Sequence, residues 1–214
     1  MSVSKKVDHF IDSLREDGEN LFPYLSNENY KKGNPIYYSG PYWDNREISV
    51  AITSLLDGKW LCAGEKVNKF EREFSEKFGF YHSLMVNSGS SANLVMIAAL
   101  KDYFQWKDGD EILVCACGFP TTINPIIQNG LKPVFVDIDF EDLNWDLDDL
   151  KSKITERTVA AFSSPVLGNS YDFDKFLDII DSSGIKYIAD GCDSLGSKWG
   201  DEFITAHAIA TSCS

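Results

Sequence analysis

The sequence predicts an α/β protein, a mainly parallel sheet sandwiched by helices. Short, nearly continuous apolar runs recur through the second half of the chain, among them Glu111–Cys115, residues 133–137, residues 159–163 and Lys186–Asp190. Runs without polar alternation belong to strands covered on both faces, the habit of parallel sheets. Segments of helical periodicity separate these runs, as crossover connections require. A composition of 43% hydrophobic and 25% charged residues over 214 positions is that of a globular protein and excludes a disordered tail, a collagen-like repeat or a disulfide-stapled miniprotein.

Taken in order, residues 7–14 have the period of a short helix, residues 27–34 are polar, and residues 36–41 end in a breaker. Residues 1–40 are therefore expected to form a helix and an extended arm ahead of a main domain spanning 41–214. Asn45–Asp57 places Ile48, Ile52, Leu55 and Leu56 on one helical face. Glu65–Phe78 does the same with Val67, Phe70 and Phe74, and stops at Gly79. The loop between them is bounded by Gly58 and Gly64 and carries Trp60. Strands are expected at 83–86, 111–115, 133–137, 159–163, 186–190 and 208–213, with helices at 91–103, 122–129, 147–154 and 173–182 between them.

Charge and cysteine usage exclude several classes of function. The chain has 33 Asp and Glu against 20 Lys and Arg, a net charge of −13. Such a surface repels phosphate backbones and argues against a nucleic-acid partner, while leaving room for a local site that takes a phosphorylated small molecule. Cys62, Cys115, Cys117, Cys192 and Cys213 have no paired metal spacing, and His9, His82 and His207 do not join them. No zinc site is expected, and the thiols read as reduced cysteines of a cytoplasmic protein. Cys115 and Cys117 stand two apart on a strand-like run, so their thiols share a side. No segment has the pattern of a signal peptide or the roughly 18 apolar residues of a membrane span, so neither is expected.

In parallel sheets ligands gather outside the carboxyl ends of the strands, so functional residues should follow each run. After the first comes Asn87-Ser88-Gly89-Ser90-Ser91-Ala92-Asn93-Leu94. Hydroxylated residues around a glycine at a helix start suit a phosphate, through free amides and added donors. Ser88 or Ser90 could equally be an ordinary N-cap. After the second run Phe119 faces the expected ligand mouth, where it could lie on a planar ring or belong to the core. The run at 186–190 ends in Asp190, a carboxylate that burial makes costly unless it is paired or caps a helix. A phosphate cradle, an aromatic stacker and a carboxylate for a ring nitrogen, in that chain order, are what pyridoxal phosphate requires.

The chain resembles the DegT-type sugar aminotransferases and dehydratases, pyridoxal-phosphate enzymes of the aspartate-aminotransferase fold (fold type I). The resemblance runs from about Tyr38 to Ser214. It is carried by Gly58-Lys59-Trp60-Leu61 with Gly64, Asn87-Ser88-Gly89-Ser90-Ser91-Ala92-Asn93-Leu94, Phe119-Pro120-Thr121-Thr122, Val136-Asp137-Ile138-Asp139, Leu167-Gly168-Asn169 and Asp190-Gly191-Cys192-Asp193-Ser194-Leu195-Gly196-Ser197. It implies that Gly89, Ser90, Ser91 and Ser214 hold the cofactor phosphate, that Phe119 stacks on its ring, and that Asp190 pairs with the ring nitrogen. Trp60 and Asn169 are implied on the substrate side. Asp193, where aminotransferases of the family often carry Gln or His, resembles the branch that removes the C3 hydroxyl of nucleotide-linked 4-keto-6-deoxy sugars, and is a possible auxiliary group.

The resemblance thus implies pyridoxal or pyridoxamine 5′-phosphate as cofactor, a nucleotide-linked 4-keto-6-deoxy sugar as substrate, and a homodimer with shared sites. The activity implied is 3-dehydration in deoxysugar and lipopolysaccharide biosynthesis, with amination of a nucleotide sugar as the alternative. The catalytic residue, lysine in the transaminases and histidine in the 3-dehydratases, is expected beyond Ser214, so no residue present is assigned that role. The large domain is accordingly expected to be incomplete and the C-terminal small domain absent. A catalytically inactive cofactor-binding or dimerising module is the reading of another class, and a doubly wound domain with a different ligand a third.

Overall fold

Alternate residues of the strand Glu111–Cys115 (β1) face two different cores, and that alternation organises the main body of the molecule. Leu113 and Cys115 join Val136, Trp145, Leu150, Ala161, Phe173, Phe176 and Tyr187 on one side. Ile112 and Val114 join Ile97, Trp106, Ile126, Leu131, Ala160, Phe162 and Ile188 on the other. A strand with two apolar faces must lie inside a layered α/β/α stack, which explains its unbroken apolar sequence.

The computed structural model describes residues 1–14, 31–33, 45–58, 62–204 and 206–211. Its contacts separate two units, Met1–Lys66 and Val67–Cys213. In the first, Ser2 caps helix α1 (Val3–Ser13) by accepting the Lys5 N–H, and α1 buries Val7 and Ile11, one turn apart. It packs against α2 (Asn45–Asp57).

The second unit holds a five-stranded sheet in which every neighbouring pair is parallel. Beyond β1 it comprises β2 (Lys132–Val136), β3 (Thr158–Ser163), β4 (Lys186–Asp190) and β7 (Ala208–Ala210), in the order β2-β1-β3-β4-β7. From β1 the chain steps to one side for β2, then crosses back to the other side for β3. That reversal makes a crevice at the carboxyl ends of β1 and β3. Helix α4 (Gly89–Phe104) and α5 (Pro120–Gln128) contribute Ile97 and Ile126 to one core. Helices α6 (Leu147–Ser152) and α7 (Phe173–Ser183) contribute Leu150, Phe173, Phe176 and Ile180 to the other. Cys115 and Cys117 do share a side, packing on that second core, where burial pushes the Cys115 thiol up.

Three expectations from the sequence need correction. Residues 83–86 form no strand. Helix α3 (Glu65–Phe78) holds them instead, with the Glu71 carboxylate accepting the Met85 N–H at 2.7 Å and the Ser75 and Ser83 hydroxyls 2.7 Å apart. An apolar run becomes a strand only where another strand answers its backbone, and Leu84 and Met85 remain exposed. The last strand ends at Ala210 rather than Cys213. A short antiparallel hairpin, β5 (Lys198–Trp199) with β6 (Glu202–Phe203), was not foreseen. Two residues per strand are too few to leave a periodic trace, and the ring of Phe203 against Phe78 at 5.3 Å pins it to α3. Residues 15–30 and 34–40 of the expected arm lie outside the described residues, as do Trp60, Cys213 and Ser214.

Candidate functional site

Asp190 is the last residue of β4 and is 3% exposed. Its Oδ2 accepts hydrogen bonds from Asn93 Nδ2 on α4 and Thr122 Oγ1 on α5, each at 2.7 Å. Its Oδ1 accepts the Cys192 N–H at 3.2 Å. One carboxylate therefore ties together the strand end and the N-terminal parts of two helices. Among the described residues it has no cationic partner. Removing a carboxylate from water costs several kcal/mol, which neutral donors offset only in part.

The turn after Asp190 is held against the sheet. Gly191 donates to the Ala210 carbonyl at 2.6 Å, and a Cβ there would lie 3.0 Å from Ile209. Asp193 is exposed on this turn. Its carbonyl meets Gly168, where a Cβ would come within 2.9 Å and where φ is +73°, so only glycine fits. Asn169 follows at once, exposed, with its side-chain amide donating to Asp142 O at 3.2 Å. The turn carrying Asn169 thus packs on the turn carrying Asp193, joined also by Ser197 Oγ to Gly168 O at 2.9 Å.

Helix α4 begins one turn before Asn93. Ser88 is its N-cap, accepting the Ser91 N–H through its hydroxyl at 3.2 Å, while its carbonyl takes the Ala92 N–H at 2.9 Å. Gly89 and Ser90 provide the remaining first-turn amides, the donors that a helix cannot satisfy internally. Gly89 is buried and Ser90 exposed. Phe119 is the N-cap of α5 without a side-chain cap bond, and its ring is 66% exposed. Pro120 follows at the first helical position, where its missing N–H costs nothing. Phe119 is therefore an exposed ring, not a core residue.

Of the residues expected from sequence, the structure links Gly89, Ser90 and Ser91 to Asp190 through Asn93, and Phe119 to Asp190 through Thr122. Asp193 and Asn169 share an adjacent pair of turns. The roles of Asn93 and Thr122 as donors to Asp190 were missed. A signal existed for the first: an Asn in the middle of an apolar helical segment is unfavourable unless its amide is bonded.

These residues fit pyridoxal phosphate in its three recognisable parts. Asp190 is a buried anion short of a cation, Phe119 is an exposed flat ring, and the start of α4 presents amides and hydroxyls where an anion is favoured. Residues 43–214 match the model of the DegT/DnrJ/EryC1/StrS aminotransferase family. The chain belongs to this family. GDP-4-keto-6-deoxy-D-mannose 3-dehydratase of Yersinia pseudotuberculosis is 44% identical over 160 residues, which cover 73% of this chain and 40% of that protein. The E. coli GDP-4-keto-6-deoxy-D-mannose-3-dehydratase, solved with bound hydrated PLP, superposes with a TM-score of 0.71 at 40% identity, covering 77% of this chain and 42% of that one. A Helicobacter pylori aminotransferase involved in the biosynthesis of pseudoaminic acid gives a TM-score of 0.73 at 27% identity, over 81% and 47% of the two chains. This family member thus spans about 40% of the length of the curated 3-dehydratases it matches. Among the described residues no helix is long and apolar enough to cross a membrane, and no group of three or more His, Cys, Asp or Glu could hold a metal ion.

Proposed function

We propose that the chain provides the cofactor-holding part of a pyridoxal- or pyridoxamine-phosphate enzyme that removes the C3 hydroxyl of a nucleotide-linked 4-keto-6-deoxyhexose in surface-polysaccharide biosynthesis. The observation that carries the cofactor assignment is Asp190, buried with neutral donors only. Bound there, the cofactor supplies an electron sink, and a protonated ring nitrogen is what makes the sink effective. Asp190 keeps that proton in place by supplying the missing half of an ion pair. Phe119 covers one ring face and excludes water from it. The Gly89 and Ser90 amides, with the hydroxyls of Ser90 and Ser91, orient the phosphate, and Ser214 is proposed to join them.

Asp193 stands on the turn beside Asp190 and is proposed as an auxiliary group, with Trp60 and Asn169 toward the sugar. Dehydration is favoured over amination because identity to the 3-dehydratases, 44% and 42%, exceeds the 29% and 27% to two GDP-perosamine synthases. A homodimer in the cytoplasm completes the reading, supported by the family resemblance alone.

An absorbance titration of the chain with pyridoxal phosphate and with pyridoxamine phosphate tests this. Saturable binding that Asp190→Asn abolishes and Phe119→Ala weakens is expected. Absence of any binding, or binding indifferent to both changes, overturns the assignment.

A further inference from the structure

We propose that Asn93 and Thr122 are positioning residues for Asp190: both donate to the same oxygen, so that one carboxylate orientation is fixed and Oδ1 is kept for a cationic donor. The proposal rests on the cofactor reading above and extends it to two residues with no assigned role.

The geometry is specific. Asn93 is fully buried on α4. Its amide nitrogen spends one hydrogen on Asp190 Oδ2 at 2.7 Å and the other on the Thr121 carbonyl at 3.1 Å. Its own Oδ1 is buried without a hydrogen-bond partner among the described residues. Turning the amide over would set that oxygen against two acceptors, so the amide has a single acceptable orientation. An acceptor sealed from solvent with no donor is a cost that a purely space-filling residue would avoid. Closed off as it is, the orphan oxygen has no route to a ligand. The use of Asn93 therefore lies in its two donors, and one of them is aimed at the carboxylate.

Thr122 is 4% exposed and reaches the same Oδ2 from α5 at 2.7 Å. The two donors come from different helices and converge on one atom. Any rotation short of a half-turn, which merely exchanges two equivalent oxygens, would draw the accepting atom away from both donors, so together they fix the plane of the carboxylate. Among the described residues Oδ1 retains a single, longer bond, the Cys192 N–H at 3.2 Å. A carboxylate oxygen accepts about two hydrogen bonds, so Oδ2 is full and Oδ1 has capacity left. Because neither donor carries charge, they fix orientation without neutralising the anion, which preserves its pull on a ring N–H⁺.

The decisive experiment measures binding of pyridoxal phosphate and of 1-deazapyridoxal phosphate, which has carbon where the ring nitrogen would be. The wild-type chain, Asn93→Leu, Thr122→Val and Thr122→Ser are titrated with both. Asn93→Leu and Thr122→Val are each expected to weaken the natural cofactor about tenfold, from the loss of one hydrogen bond to a charged group. Neither should change affinity for the deaza analogue by more than about twofold, because its ring has no proton for Asp190 to hold. Thr122→Ser restores the hydroxyl and should bind as the wild type does, which covers the case in which Asn93→Leu does not fold. Equal weakening of both ligands would show a merely structural effect and overturn the positioning role while leaving the cofactor reading intact. Failure of the wild-type chain to bind either ligand would overturn both.

Discussion

Two carboxylates in this protein are buried to the same 3% exposure at opposite edges of one sheet, and they are satisfied in opposite ways. Glu111 opens β1 at the amino edge. Its Oε1 accepts from Lys132 Nζ and from an Arg157 guanidinium nitrogen, each at 2.9 Å, and its Oε2 accepts from Thr155 Oγ1 at 2.6 Å. The Thr155 hydrogen bond, then that of Lys132, hold its carboxyl below the usual range. Asp190 closes β4 at the carboxyl edge with three neutral donors. The first anion finds its cations inside the chain and is part of the scaffold. The second is held in place and left uncompensated, the condition of a group that awaits a cation from outside. Burial of a carboxylate does not by itself mark a site; the charge of its partners does.

The sharpest way to break this contrast is to neutralise each carboxylate in turn. Asp190→Asn is expected to weaken pyridoxal phosphate by about 100-fold, the loss of a strong hydrogen bond to a charged group, with little change in thermal stability. Glu111→Gln should do the reverse. It is expected to cost about 2 kcal/mol of folding stability in a urea titration and leave cofactor affinity unchanged. Its effect also depends on pH. Because the folded state holds Glu111 below its ordinary value, its stabilisation is complete above about pH 4.3 and fades as the pH falls through the folded pKa. Wild type and Glu111→Gln should therefore converge in stability on acidification.

Smaller effects sharpen the picture at the carboxyl edge. Phe119→Ala removes an exposed ring and should weaken the cofactor about fivefold, the value of one ring contact. Stability should move by no more than about 0.5 kcal/mol, as for other surface changes. Ser88→Ala deletes the N-cap of α4 and should cost about 0.5–1 kcal/mol by thermal melting. Were Phe119→Ala to destabilise the fold and spare the cofactor, the ring would belong to the scaffold with Glu111.

The middle of the sheet was readable because β1, β3 and β4 are buried almost throughout. Glu111–Cys115 and Lys186–Asp190 carry their apolar runs to the residue at which the strand ends. Residues 83–86 carry a similar run and failed as a strand, since the run records burial potential and not the presence of a neighbour. The hairpin β5–β6 escaped for the opposite reason, being too short for any period. At the site, Asp190, Phe119 and the serines near Gly89 were visible through their place after apolar runs. Asn93 left only the trace of an amide inside an apolar helix, and Thr122 left none. That both meet Asp190 depends on α4 and α5 converging at one carboxylate 97 and 68 residues away in sequence, a fact of tertiary packing that no local pattern encodes.

The most direct test is a crystal structure of the chain with pyridoxamine phosphate. The ring nitrogen is expected about 2.7–2.9 Å from Asp190 Oδ1, the range of a charge-assisted hydrogen bond, with Asn93 and Thr122 still bonded to Oδ2. A cofactor bound elsewhere, or a ring nitrogen facing solvent while Asp190 keeps only its three neutral donors, would contradict this placement.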